Sequence, residues 1–93
     1  DLRNALLGRA NFENADFSNA NLEGAILNGA NLRDAILYSA ILNSAHLSGA
    51  DLRGVNFDCT SFNHIFYNKD TKLDKTLNWY IQMFEGIKYS EEK

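Results

Sequence analysis

The sequence predicts an all-β solenoid closed at its C-terminal end by a helix, and three observations carry that reading. Ala stands at every fifth position from Ala5 to Ala50, and the series continues as Val55, Thr60 and Ile65. A large apolar residue keeps the same period two places after each small one, running from Leu2, Leu7, Phe12 and Phe17 through Leu22 to Leu52 and on to Phe57, Phe62 and Tyr67. Beyond Tyr67 the period stops, and Leu73, Leu77, Tyr80, Ile81 and Phe84 follow helical spacing instead.

A period of five fits no straight element. On an α-helix each repeat would carry the large residue round by roughly 140°, and on a flat strand successive large residues would land on opposite faces. Within one repeat, however, the small and large residues are two apart, so a short extended segment points both inward and its middle residue outward. Only a corner at the last two positions restores the parity. The product is a coil of short strands around a filled axis.

The corners carry the residues that corners need. Gly8, Gly24, Gly29, Gly49 and Gly54 lie there, with Asn, Asp and Ser in many of the remaining places, and these types tolerate positive φ or cap turns. Pairing Ala with Leu or Phe has a packing reason, since a narrow tube at crystal-like density has no room for two large inward side chains per segment.

The repeats ANFEN, ADFSN, ANLEG, ANLRD and ADLRG resemble the pentapeptide-repeat family, and the resemblance covers residues 1–69. It implies a right-handed quadrilateral β-helix with four repeats to a coil of twenty residues. Departures fall between Ala and the large residue, where Asn or Asp is usual but Leu6, Ile26, Ile36, Ile41, His46, Ser61 and Phe66 stand here. That position points outward, so the departures bear on surface chemistry and not on the fold.

With twenty residues to a coil, positions twenty apart stack about 4.8 Å above one another, and the surface reads as columns. Asn11, Asn31 and Asp51 form a polar ladder. Arg3, Glu23, Asn43 and Asn63, and Glu13, Arg33 and Arg53, place Glu beside Arg in neighbouring coils. The column Leu6, Ile26, His46, Phe66 is apolar and flanked by Gly8, Asn28, Ser48, Asn68, Gly29 and Gly49, with Arg9 and Lys69 at its ends. A contiguous exposed apolar patch marks a contact site; the alternatives are that the family tolerates Ile or Val at this position without consequence, or that a terminal segment covers it. Ile36, Tyr38 and Ile41 make a smaller second cluster across an adjacent corner.

Residues 70–93 are expected to form a helical cap and tail. Asn68 to Lys72 reads as a loop and Asp74 as an N-cap, with a helix over about 75–85, Gly86 as its stop, and Tyr89 to Lys93 as a frayed tail. A solenoid end exposes its core and an unpaired strand edge, and Leu73, Leu77, Tyr80, Ile81 and Phe84 supply an apolar face to cover them. Trp79 falls on another side of that helix.

Composition narrows the function. Ninety-three residues with 45% hydrophobic content make one domain, and no apolar run reaches a membrane span. The net charge of −3 indicates neither a nucleic-acid patch nor a strong acidic field. Cys59, the single cysteine, allows no internal disulfide. The start at Asp1 in mid-repeat leads us to expect upstream residues, any targeting sequence among them, so the compartment stays open between cytoplasm and thylakoid lumen or periplasm. No catalytic constellation, metal-ligand set or cofactor motif appears: His46 and His64 point outward without a partner set by spacing, no histidine is placed to activate Cys59, and the glycines never precede a helix. Thr60 reads as a core hydroxyl bonded to a nearby carbonyl. The reading is a non-catalytic interaction module for a protein partner or a second copy of itself. The alternative drawn from the resemblance is a DNA mimic that binds DNA gyrase. Seven acids against five bases over residues 1–69 make a poor imitation of a duplex with one charge per about 1.7 Å.

Overall fold

Each three-residue extended segment ends in a turn, because the chain must change direction before the next small residue. The N–H of that residue closes the turn by donating to the carbonyl of the large residue three places back, as from Ala25 to Leu22 (3.0 Å) and from Ala40 to Leu37 (2.9 Å). The second corner residue has positive φ in every repeat from Asn4 to His64, between 58° and 79°. With a bond from i to i+3, this is a type II turn. Gly is required at two of these places. Gly24 and Gly54 have φ of +71° and +79°, and the side-chain oxygens of Asn4 and Asp34, one coil below, occupy the space a Cβ would take.

The computed structural model describes residues 1–83 and the backbone of residues 88–89. Ile26 donates its N–H to the Ala5 carbonyl and accepts at its own carbonyl from Leu7, both at 2.8 Å, which sets it in parallel register over Leu6. Repeated every fifth residue, this pairing builds a four-sided coil with twenty residues to the turn. The first side carries Leu6, Ile26, His46 and Phe66, the second Asn11, Asn31, Asp51 and Lys72, the third Asp16, Ile36 and Asn56, and the fourth Asn21, Ile41 and Ser61. Between them the inward residues fill the axis. From Leu22 to Leu52 every one of these Ala and Leu side chains is buried, and each leucine contributes about 1.5–3 kcal/mol by leaving water. Thr60 is the polar exception, and its hydroxyl donates to the Leu37 carbonyl at 2.6 Å.

The ladder runs three residues past the boundary expected at residue 69. Lys72 pairs over Asp51, donating to Ala50 and accepting from Leu52, both at 2.8 Å. This last rung is twenty-one residues above its partner because residues 68–71 take one extra place at the corner. Side chains replace the missing backbone partner there. One coil lower, Gly29 donates to the Ser48 carbonyl (2.9 Å), whereas Gly49 donates to Asn68 Oδ1 (3.1 Å) and Thr71 Oγ1 (3.2 Å). The Thr71 hydroxyl in turn donates to the Leu47 carbonyl (2.9 Å).

Helix α1 (Lys75–Met83) lies across the last coil. Leu77 and Ile81 are buried in the core, and Leu73 and Tyr80 pack against it. Tyr80 meets the Phe57 and Phe62 rings at 5.4 and 6.1 Å between centroids. Phe84 and Gly86 lie outside the described residues. Asp74 opens the helix with its carbonyl, which accepts from Asn78 (2.9 Å), but its carboxylate departs from the expected cap role by accepting the Gly54 N–H at 2.6 Å. The chain then returns to the tube. Strand β2 (Lys88–Tyr89) pairs in parallel with β1 (Phe66–Tyr67), so Tyr89 belongs to a strand where a tail was expected, and residues 90–93 lie outside the description. A parallel pair needs a crossover of about a dozen residues or more, usually helical, and α1 provides it.

Candidate functional site

Among the described residues no pocket opens and no group of His, Cys, Asp and Glu is placed to hold a metal ion. The chemistry of this molecule is therefore that of its outward faces.

The first side brings Leu6, Ile26, His46 and Phe66 into one line, each directly above the last, and β2 adds a fifth rung over Phe66. Leu6, on the lowest rung of the line, is 84% exposed, while the other three are half-buried against their neighbours. His46 points outward as expected but is half-buried and has a ring partner. Its ring lies flat on that of Phe66, 4.7 Å between centroids and 14° from parallel, because a coil rise of about 4.8 Å matches the stacking distance of two rings. His64 is exposed at a corner. Ser48 is buried beside this line, and the Asn28 amide oxygen is buried without a hydrogen-bond partner among the described residues.

Ile36, Tyr38 and Ile41 flank the corner between the third and fourth sides, 37%, 46% and 38% exposed. Sequence reasoning ranked this cluster second, yet its side chains stand farther into solvent than Ile26 or Phe66. On α1, Trp79 and Met83 are both 61% exposed. Met83 was not singled out from the sequence, although its place one turn after Trp79 was the available signal.

The charges segregate. On the second side Arg53 grips Asp51 with two bonds, Nε to Oδ1 at 2.9 Å and Nη2 to Oδ2 at 2.7 Å, and Asp51 also accepts the Arg53 backbone N–H (3.2 Å). The Arg53 side chain holds the Asp51 carboxyl below its ordinary range, and the positive charge of Arg33 adds to the effect. The ion pairs of the described residues are Arg53–Asp51 and Arg3–Asp1. Both lie within one coil, and the columns that place Glu beside Arg in neighbouring coils form no ion pair among the described residues, as on a solvated surface. The reason is local: an Asp that already caps the N–H two residues on meets that residue's side chain first. Asn11 and Asn31 do join across coils, at 3.3 Å.

A four-sided coil of five-residue segments, with a small and a large residue inward in each, is the arrangement that the model of Pentapeptide repeats describes, and that model matches residues 1–34, 15–54 and 30–65. The chain belongs to the pentapeptide-repeat family. Its coil is thus the right-handed quadrilateral β-helix of that family. A pentapeptide repeat protein of the cyanobacterium Cyanothece 51142 is similar over 77% of this chain at 44% identity, with a TM-score of 0.77. HetL, described as a pentapeptide repeat protein involved in heterocyst differentiation regulation in Nostoc sp. strain PCC 7120, is 36% identical over 68% of this chain, with a TM-score of 0.54. A third pentapeptide repeat protein, also from Nostoc, shares the fold over 95% of the chain at 24% identity and a TM-score of 0.50, with 83% of its own length covered. The pentapeptide-repeat chain spans 49% of the Cyanothece protein and 32% of HetL. No curated protein matches the sequence. In this family the chain is a structural repeat module, and no helix among its described residues is long and apolar enough to cross a membrane.

Proposed function

We propose that this pentapeptide-repeat module serves protein contact: a rigid tube whose first side, from Leu6 through Ile26 and His46 to Phe66, is a docking surface for a protein or for a second copy of the chain. The observation that carries the reading is that Leu6, Ile26 and Phe66, with the His46 ring stacked on Phe66, stand outward in one line on a ladder whose core is already filled by Ala and Leu. Core packing does not need these side chains, and exposed apolar area of this kind serves contact. Backbone bonds on every rung fix the side chains in place, so binding loses little conformational freedom.

Sedimentation velocity over a wide concentration range, on the chain and on a variant carrying Ile26→Asp and Phe66→Asp, tests the reading. Self-association by the wild type alone identifies a second copy as the occupant. Two monomeric, equally folded proteins exclude that occupant, and cross-linking in extract then compares what each captures. An unchanged sedimentation profile together with an unchanged cross-linked set removes the first side as a contact surface.

A further inference from the structure

The corner between the third and fourth sides combines exposed apolar side chains with charge of one sign. Ile36 and Tyr38 leave the third side two residues apart, and Ile41 follows beyond the turn at Ser39. One coil below Ile36 lies Asp16, and one coil above Tyr38 lies Asp58, both exposed. No lysine or arginine stands at the outward positions of the third side, of this corner, or of the fourth side from Asn21 to Ser61. The arginines nearest along the chain, Arg33 and Arg53, belong to the corner before the third side, and Arg53 is bonded to Asp51 on the second. Hydrogen bonds from Ser18, hydroxyl first and then backbone N–H, hold the Asp16 carboxyl below its ordinary range. Asp16 is therefore ionised at neutral pH.

From this juxtaposition we infer that Ile36, Tyr38 and Ile41, framed by Asp16 and Asp58, form a second docking surface whose occupant is a cationic segment of another protein carrying an apolar or aromatic anchor between Lys or Arg residues. An apolar centre with a charged rim is the ordinary anatomy of a protein interface, and its one-signed rim sets the sign of the partner. The same rim repels phosphates, which disfavours nucleic acid and anionic lipid. A second copy of the chain fits poorly, because two such corners face to face would oppose acid to acid. The inference rests on the interaction-module reading but uses other residues, so either surface can fail alone.

The test is panning of random twelve-residue peptides displayed on phage against the whole chain, followed by fluorescence anisotropy of the enriched peptides. The expected result is enrichment of sequences with Leu, Phe, Tyr or Trp flanked by Lys or Arg. Their affinity should fall about tenfold or more in Ile36→Ser with Tyr38→Ser, as for the loss of a central anchor. In Asp16→Asn with Asp58→Asn it should fall a few-fold and lose part of its salt dependence. Asn keeps the Oδ1 acceptor that receives the Ser18 N–H, so the second variant tests charge with the fold intact. Ile26→Asp with Phe66→Asp should leave these peptides' binding unchanged. Three results would overturn the inference: no enrichment over the Ser variant, enrichment of acidic or uncharged peptides, or equal binding to wild type and Ser variant. Should the peptides bind wild type and lose affinity only in the Ile26→Asp, Phe66→Asp protein, the first side is a contact surface and this corner is not.

Discussion

The middle coils and the first coil are written in the same five-residue code but differ in what the code achieves. Between Leu22 and Leu52 each inward side chain is 0–1% exposed, whereas Leu2, Leu7, Phe12 and Phe17 are only partly buried. The inward pattern is the same, with Phe12 and Phe17 in the place of two leucines; the number of described coils stacked on it is not. The last coil receives its second neighbour from a different element, since Leu77 and Ile81 of α1 take the place of another turn of repeats. Core burial in this fold is thus a property of stacking, as expected where each unit touches only its neighbours.

Five variants break or sharpen that contrast. Leu77→Asp with Ile81→Asp sets two charges under the lid and should cost about 4 kcal/mol or more, the largest effect here; a melting temperature within a few degrees of wild type would show that the last coil needs no cover. Leu32→Ala, in the middle, should lose about 2–5 kcal/mol in denaturant unfolding. Leu2→Ala, in the open coil, should lose about 1 kcal/mol or less, and equal losses would show that the first coil is covered in solution. Gly54→Ala must hold positive φ over the Asp34 carboxylate and should cost about 1–3 kcal/mol. Gly8→Ala has ordinary φ, with only the Asn28 carbonyl at contact distance, and should stay within about 0.5 kcal/mol.

The smallest effect concerns two ion pairs of the same design. Asp51 has a lowered pKa in the folded chain, so its contribution is present above the unfolded value of 3.8 and is lost as pH falls through the folded one. An acid titration of stability should show this loss, within about 1 kcal/mol for a surface pair, in the wild type and not in Asp51→Asn. Asp1→Asn should hardly change the curve, because the Asp1 side chain is 59% exposed against 16% for Asp51.

The tube was legible in the sequence because its signal repeats: an error at one position is corrected by the next. The cap helix was legible too, since Leu73, Leu77, Tyr80 and Ile81 keep helical spacing and pack on the last coil, but the rest of the closing structure was not, because each of its other parts occurs once. The extra residue at 68–71 is invisible until Asn68 and Thr71 are seen supplying the bonds of the absent carbonyl. Strand β2 spans two residues, too short for any alternation, and its partner lies twenty-two positions earlier. The columns Leu6–Ile26–His46–Phe66 and Ile36–Tyr38–Ile41 could be placed from spacing alone. Their relative exposure could not, since it depends on how far one side chain shades the next, as Phe66 does His46. The pairs Arg3–Asp1 and Arg53–Asp51 were missed for a similar reason, because register predicts neighbours between coils but not which side chain an arginine reaches first.

The twenty-one-residue final turn carries a further meaning. A helical ribbon with identical top and bottom rims is a template for its own copies, since the head of one molecule can accept the tail of the next and the series never closes. One extra residue puts the tail out of phase with the head, and α1 then lies across the opening. The extra residue at 68–71 and the buried Leu77 and Ile81 of α1 thus make the upper rim of the described coils unlike the lower one, and a rim of that kind is no template for a copy of the other.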